Sequence, residues 1–148
     1  MKIITGIIGI AILILSNQAD KNKASSENEH VSAKITLKNQ IIASGDSGEI
    51  VIEFNPKEGY FINSVPILSI KLDSNDIIAS TGKIKIPAGK KPEYVDTSQP
   101  VKLPIIYRKD IKKGKYPLIG TLTYFYCSQQ DGWCAKYKQT FTLKVTVK

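Results

Sequence analysis

The sequence predicts an all-β fold, an immunoglobulin-like β-sandwich of eight or nine short strands. Three observations predict it. From Val31 onward apolar residues recur at a period of two, no stretch sustains a helical period, and turn signals rich in Gly, Pro, Asn and Asp separate the alternating runs at short intervals. The 148-residue chain is long enough for one ordinary domain with a tail, and it shows neither an internal repeat nor a second domain.

The first residues, MKIITGIIGIAILIL, are of a different kind. Lys2 precedes an uncharged run over residues 3–15 in which Thr5 is the single polar side chain. That run is shorter than the roughly 20 residues a bilayer span requires and has the length of a secretory apolar region. Residues 1–19 are therefore expected to be a signal peptide cleaved after Ala19, or an uncleaved anchor. No Cys follows the apolar run to take a lipid. Residues 20–29, DKNKASSENE, contain no aromatic or β-branched residue, and residues 20–30 read as a flexible linker with His30 a solvated residue at its end. Export places the chain in the periplasm or another exported compartment, where disulfides persist. Membrane contact is expected only if the N-terminal segment stays uncleaved.

The domain spans residues 31–148. In its first strand Val31, Ala33, Ile35 and Leu37 alternate with polar residues. The turn cluster Ser44-Gly45-Asp46-Ser47-Gly48 leads to a strand carrying Ile50, Ile52 and Phe54 on one face. Asn55-Pro56-Lys57-Glu58-Gly59 breaks it before Tyr60-Phe61-Ile62. Further strands are expected over residues 68–72, 83–86, 101–107, 118–126 and 140–147. Pro66, Pro87, Pro92, Pro100, Pro104 and Pro117 fall near the proposed strand ends or edges, where a missing N–H does least harm. Residues 88–99, AGKKPEYVDTSQ, do not alternate and form a long connection that is either a functional or an ordinary surface loop. The basic run at residues 108–115 reads as a solvated turn.

Composition narrows the chemistry. The formal charge is +8, yet 20 of the 21 basic residues are Lys and Arg108 is the one Arg. Base readout and bidentate phosphate clamps favour Arg, so no nucleic-acid partner is expected. One His and two Cys exclude a multi-histidine or four-thiolate metal site, and neither metal nor cofactor is expected. Hydrolysis is remote, because no paired carboxylates or Ser-His arrangement stands out. What remains is Cys127 and Cys134.

If the last two strands form a hairpin with these cysteines opposed, facing positions sum to 261. Leu118, Leu122, Tyr124, Tyr126, Tyr137, Phe141, Leu143 and Val145 then share the core face. Both cysteines fall on the other side, with Thr121, Thr123, Phe125, Lys136, Lys138, Thr140 and Thr142. A directly opposed pair suits a disulfide. The loop of about eight residues contributes roughly 2.5 kcal/mol by chain entropy, which is low for a purely structural staple. C-x6-C is no thioredoxin motif, and no helix N-terminus is at hand to lower a thiol pKa. A structural bridge and an exchange pair both fit this spacing.

Gly120-Thr121-Leu122-Thr123-Tyr124-Phe125-Tyr126-Cys127, followed by Asp131-Gly132-Trp133-Cys134, resembles the N-terminal periplasmic domain of the DsbD thiol:disulfide interchange family. Gly59-Tyr60-Phe61-Ile62-Asn63-Ser64 with Pro66, and Lys85-Ile86-Pro87-Ala88-Gly89, resemble two further segments of that domain. The likeness extends over most of residues 31–148. Here six residues separate the cysteines where the family has five, and Ala135-Lys136 stands where it commonly has a proline.

The resemblance implies a protein-disulfide reductase or thiol-disulfide interchange activity. Cys134 would form the mixed disulfide with partners and Cys127 would resolve it. The loop around residues 90–99 would correspond to a cap, with Tyr94 its aromatic residue. Glu93 and Asp131 would be neighbours for proton transfer, and Trp133 a supporting residue. The electron donor would be a thioredoxin-like or DsbD-type membrane protein on a separate chain, and periplasmic thiol-disulfide proteins the acceptors. The alternative is a non-catalytic immunoglobulin-like binding or structural domain with a stabilising disulfide.

Overall fold

The computed structural model describes residues 28–148; the expected signal peptide or anchor and most of the expected linker lie outside them. The described residues are all-β, with nine strands and no helix: β1 (Val31–Leu37), β2 (Ile41–Ile42), β3 (Ser47–Pro56), β4 (Tyr60–Ile62), β5 (Ser69–Leu72), β6 (Ile78–Thr81), β7 (Val101–Tyr107), β8 (Gly114–Ser128) and β9 (Cys134–Val147). They form two sheets, one ordered β1-β3-β7-β6 and the other β2-β9-β8-β4, with β5 also pairing on β8. This is the expected sandwich class.

The period-two pattern dictates which side chains meet between the sheets. Ile50, Ile52 and Phe54 of β3 face Leu118, Leu122 and Tyr124 of β8 across the core, and all six are buried. The core has two joined parts. Val31, Ile52, Phe54, Ile62, Leu122 and Tyr124 lie in the one beneath the cysteine hairpin, and Leu37, Ile50, Ile105, Tyr107 and Val145 lie in the other. Gly120 is required by packing, since a Cβ there would meet Phe141 Cζ at 2.6 Å and the Lys71 carbonyl oxygen at 2.9 Å. Gly120→Ala is expected to cost about 1–3 kcal/mol through overpacking, read by denaturant unfolding. An unchanged midpoint would mean that Phe141 swings aside freely.

Three expectations about elements are revised. Residues 83–86 form no strand and carry only the isolated bridge between Lys85 and Lys102, while Ile84 and Ile86 pack on the core from an irregular segment. The edge strand is instead β6, a four-residue element whose register shifts between Ile78 and Ser80, too short and bulged for a clean alternation. Ser47 and Gly48 are already in β3 rather than in the turn. Pro104 lies inside β7, between β3 and β6. Its carbonyl accepts from Gly82 N–H at 2.8 Å, so its missing N–H points to the side where β6 has ended at Thr81.

The end of the expected linker is packed. Asn28 Nδ2 donates to Tyr124 Oη at 3.1 Å, and Lys57 N–H donates to the His30 carbonyl at 2.9 Å. The His30 ring stacks on Tyr60, with centroids 4.4 Å apart. The basic run is an ordered turn, in which Arg108 forms two hydrogen bonds with the Asp110 carboxylate and Ser44 Oγ donates to the Ile111 carbonyl.

Candidate functional site: a disulfide on the outer face of the β8–β9 hairpin

β8 and β9 pair without a bulge from Gly114↔Val147 to Cys127↔Cys134, so facing positions sum to 261 throughout. Six residues turn the hairpin. Ser128 N–H donates to the Trp133 carbonyl at 2.9 Å, and Gly132, at φ 70°, supplies the left-handed corner. Because the 128/133 pair is hydrogen-bonded, the adjacent 127/134 pair is of the non-hydrogen-bonded kind, in which facing side chains approach most closely. Cys127 and Cys134 form a disulfide there, with a Cα separation of 4.0 Å. Both lie on the outer face, away from the core. Cys127 is half-buried on a central strand; Cys134 is exposed on β9.

β4 completes the site. Phe61 faces Cys127 in the ladder, so Phe61, Cys127 and Cys134 form one row across three strands. Asn63 lies two residues along on the same face. Its carboxamide rests on the disulfide, Oδ1 3.1 Å from Cys127 Sγ and Nδ2 3.9 Å from Cys134 Sγ. An amide can accept a hydrogen bond from a thiol at one end and donate one to a thiolate at the other. Lys136 shares the face of Cys134 and holds its Nζ 5.9 Å from the Phe125 ring centre.

The loop after residue 87 folds back as a small hairpin. Val95 N–H donates to the Ile62 carbonyl and Ser64 N–H to the Glu93 carbonyl, each at 2.9 Å, so residues 93–95 cover the outer edge of β4. Ser64 Oγ donates to the Pro92 carbonyl at 2.6 Å. The base of the loop is tied by Asp96, whose carboxylate accepts from the Ser98 hydroxyl, the Ser98 N–H and Gln99 Nε2. The Ser98 hydroxyl foremost holds that carboxyl below the usual range. Gly89 is close to obligatory, since a Cβ there would lie 2.6 Å from the Tyr94 carbonyl oxygen.

The structure divides the expected site residues. Cys127 and Cys134 are joined. Tyr94 stacks on Phe61 at 4.7 Å, one side chain removed from the sulfurs. Glu93 contributes its backbone carbonyl to Ser64 and exposes its side chain. Asp131 is bound into the hairpin turn, where its N–H donates to Ser128 Oγ at 3.2 Å and its Oδ2 accepts from that hydroxyl at 3.3 Å. Trp133 lies on the inner side of the hairpin with His30, Tyr60 and Tyr126, at ring separations of 5.7, 6.0 and 5.7 Å. Asn63 and Phe61 were not singled out as site residues, although both fall in the quoted Gly-aromatic-Asn-Ser segment. An open cavity of about 620 Å³ adjoins the row, lined by Phe61, Lys90, Lys91, Tyr94, Thr97 and Gln129 among others.

Neither a protein-family model nor a curated protein sequence matches the chain. Among solved structures it is similar to the reduced DsbD N-terminal domain of Neisseria meningitidis, at 16% identity and a TM-score of 0.42, covering 79% of this chain and 86% of that one. It is also similar to AggA, the major subunit of aggregative adherence fimbriae type I of Escherichia coli, at 12% identity and a TM-score of 0.41, covering 84% of this chain and 99% of that one.

Proposed function

We propose that the chain is an exported thiol-disulfide exchange domain that passes reducing equivalents to thiol-disulfide partners through Cys127 and Cys134. The observation that carries this reading is the asymmetry of the disulfide: Cys134 is exposed on the outer face, while Cys127 is half-buried and touched by the Asn63 carboxamide. One sulfur is open to a partner and the other is held behind it. In this reading residues 1–19 direct export or anchor the chain, the tether brings the domain clear of them, and residues 31–148 do the exchange.

The chemistry is a pair of displacements. A donor thiolate attacks Cys134 Sγ, the Cys127–Cys134 bond breaks, and Cys127 leaves as thiolate. The donor's second thiolate attacks the mixed disulfide and releases Cys134, so the domain gains two electrons and, at neutral pH, takes up protons as its thiols require. In the forward half, the Cys134 thiolate attacks an acceptor disulfide and expels one acceptor thiolate. Cys127 then attacks Cys134 Sγ, re-forms the bond and expels the other. Val65 and Ile67, 75% and 66% exposed just beyond Asn63, present an apolar rim for the partner.

The test is a trap combined with a redox titration. In Cys127→Ser, Cys134 is expected to accumulate as a mixed disulfide with oxidised thioredoxin-like proteins, and Cys134→Ser is expected to accumulate none. The native pair is expected to titrate above about −300 mV and to alkylate in the folded protein when reduced. A lower midpoint with thiols that react only after denaturation supports the alternative, a binding or structural domain whose bridge closes the hairpin.

A further inference from the structure

The two edges of the cysteine-bearing sheet are treated oppositely. Residues 93–95 cover β4, but among the described residues β9 is covered only at its last residues. Thr146 N–H donates to the Gln40 carbonyl at 2.7 Å and Lys148 N–H to the Ile42 carbonyl at 3.0 Å. These bonds show that even-numbered residues of β9 point their backbone groups away from β8. Pro117 agrees, since it faces Lys144 where no N–H is needed between the strands. The backbone N–H and C=O groups of Cys134, Lys136, Lys138, Thr140, Thr142 and Lys144 therefore point outward, and no strand among the described residues pairs with them. All six residues are exposed. A bare edge of this length is a template for another strand, and it begins at the exposed sulfur.

The geometry points to β9 as a docking edge on which a partner adds an extended acidic segment that carries its reactive cysteine opposite Cys134. This rests on the exchange reading and supplies the partner's recognition chemistry. On a segment running antiparallel to β9, a residue facing Cys134 on the open side would form a hydrogen-bonded ladder pair, with a Cα separation of about 5.5 Å, inside the range a disulfide spans. Its side chain would lie on the outer face beside Cys134 Sγ. The next outward positions of β9 are Lys136 and Lys138, with Lys144 further along. Facing side chains on one sheet face attract when oppositely charged and repel when alike. The edge thus favours acidic residues two and four positions from the partner's cysteine and opposes basic ones. A second copy of this chain would bring its own three β9 lysines to the same ladder, so like charge opposes self-pairing.

The experiment uses the full chain carrying Cys127→Ser, reduced, with Cys134 as its one thiol. The probes are the peptides EVEVC and CVEVE, each with its cysteine activated as the thionitrobenzoate disulfide, and the same peptides with Lys in place of Glu. Attack by Cys134 forms the mixed disulfide with the peptide and expels thionitrobenzoate, whose release gives the rate. The better acidic peptide is expected to react about tenfold faster than its lysine counterpart at low salt. In EVEVC, which pairs antiparallel to β9, N-methylating the amide of the residue two before the cysteine, which faces β9, is expected to slow it about tenfold, while methylating the neighbouring amide, which faces away, leaves the rate unchanged; in CVEVE, which pairs parallel, the two amides exchange roles. Lys138→Pro removes one outward N–H without touching the β8 ladder and is expected to slow the acidic peptide; Lys138→Glu is expected to erase or reverse the charge preference. Should Lys138→Pro unfold, the methylated peptides still decide on the unaltered edge.

Rates that ignore peptide charge and methylation, with Cys134 still reactive, would overturn strand addition and leave exchange standing. A Cys134 thiol inert in the folded protein even to free dithionitrobenzoate would overturn both.

Discussion

Tyr124→Ala is expected to lower the unfolding free energy by about 3–5 kcal/mol, the range of large-to-small aromatic substitutions in a packed core. The residue is fully buried on β8 at the centre of the core beneath the cysteine hairpin. Its ring meets Phe54 edge-on at 5.0 Å and lies 5.5 Å from Tyr137 and 6.2 Å from Tyr126. Its hydroxyl accepts from Asn28 Nδ2 at 3.1 Å and is 3.4 Å from the Val31 carbonyl, which it can reach as donor. Tyr124→Phe keeps the ring and loses only those bonds, an expected cost of about 1 kcal/mol. Denaturant unfolding of both variants separates packing from hydrogen bonding; equal losses would assign the effect to the hydroxyl alone.

The same residue gives stability a signature at high pH. Burial foremost pushes the Tyr124 phenol up to about 12 from an ordinary value of 10.0. Between those values the folded state holds a proton that the unfolded state has released, so stability falls as pH rises through that window. The contribution is complete below pH 10. Tyr124→Phe is expected to flatten this fall relative to the parent protein, and parallel curves would show that another group causes it.

Asn63→Asp is expected to have the largest effect on the sulfur chemistry. The substitution keeps the size of the side chain, removes the Nδ2 donor and places a carboxylate about where Oδ1 now lies, 3.1 Å from Cys127 Sγ. A negative charge at that range disfavours a neighbouring thiolate, by about one to two pKa units at a partly exposed site. The pH profile for alkylation of the reduced pair should move upward by that amount, and exchange near neutral pH should slow by only about three- to tenfold, because the smaller thiolate fraction is partly offset by the greater nucleophilicity of a more basic thiolate. Asn63→Ala, which removes the donor without adding charge, should shift the profile less. An unmoved profile in Asn63→Asp would mean that the carboxamide only fills space.

The β8–β9 hairpin was legible because its information is local. Cys127 and Cys134 close a short turn, and a period of two admits one register that buries Leu118, Leu122 and Tyr124 while leaving Thr121, Thr123 and both cysteines outside. The long alternations of β1, β3 and β7 were legible for the same reason. β2 and β6 were not, since two residues have no period and a bulge breaks one. Residues 83–86 alternate like a strand, yet pair through a single bridge. His30 read as solvated because nothing in its own segment announces Tyr60, which lies beyond β1, β2 and β3 at the start of β4.

By itself, then, the sequence determined the strand class, the parity of the last two strands and the placement of the sulfurs outside the core. Each follows from side-chain alternation and the closure of one short turn. Only the tertiary structure decided that Asn63, 64 residues before Cys127, rests on the disulfide, that residues 93–95 cover β4, and that no strand among the described residues covers β9 beside Cys134. Which distant strand lies next to which is settled by burying all the apolar faces together. Alternation within one strand marks the face to be buried but is silent about the neighbour that will bury it.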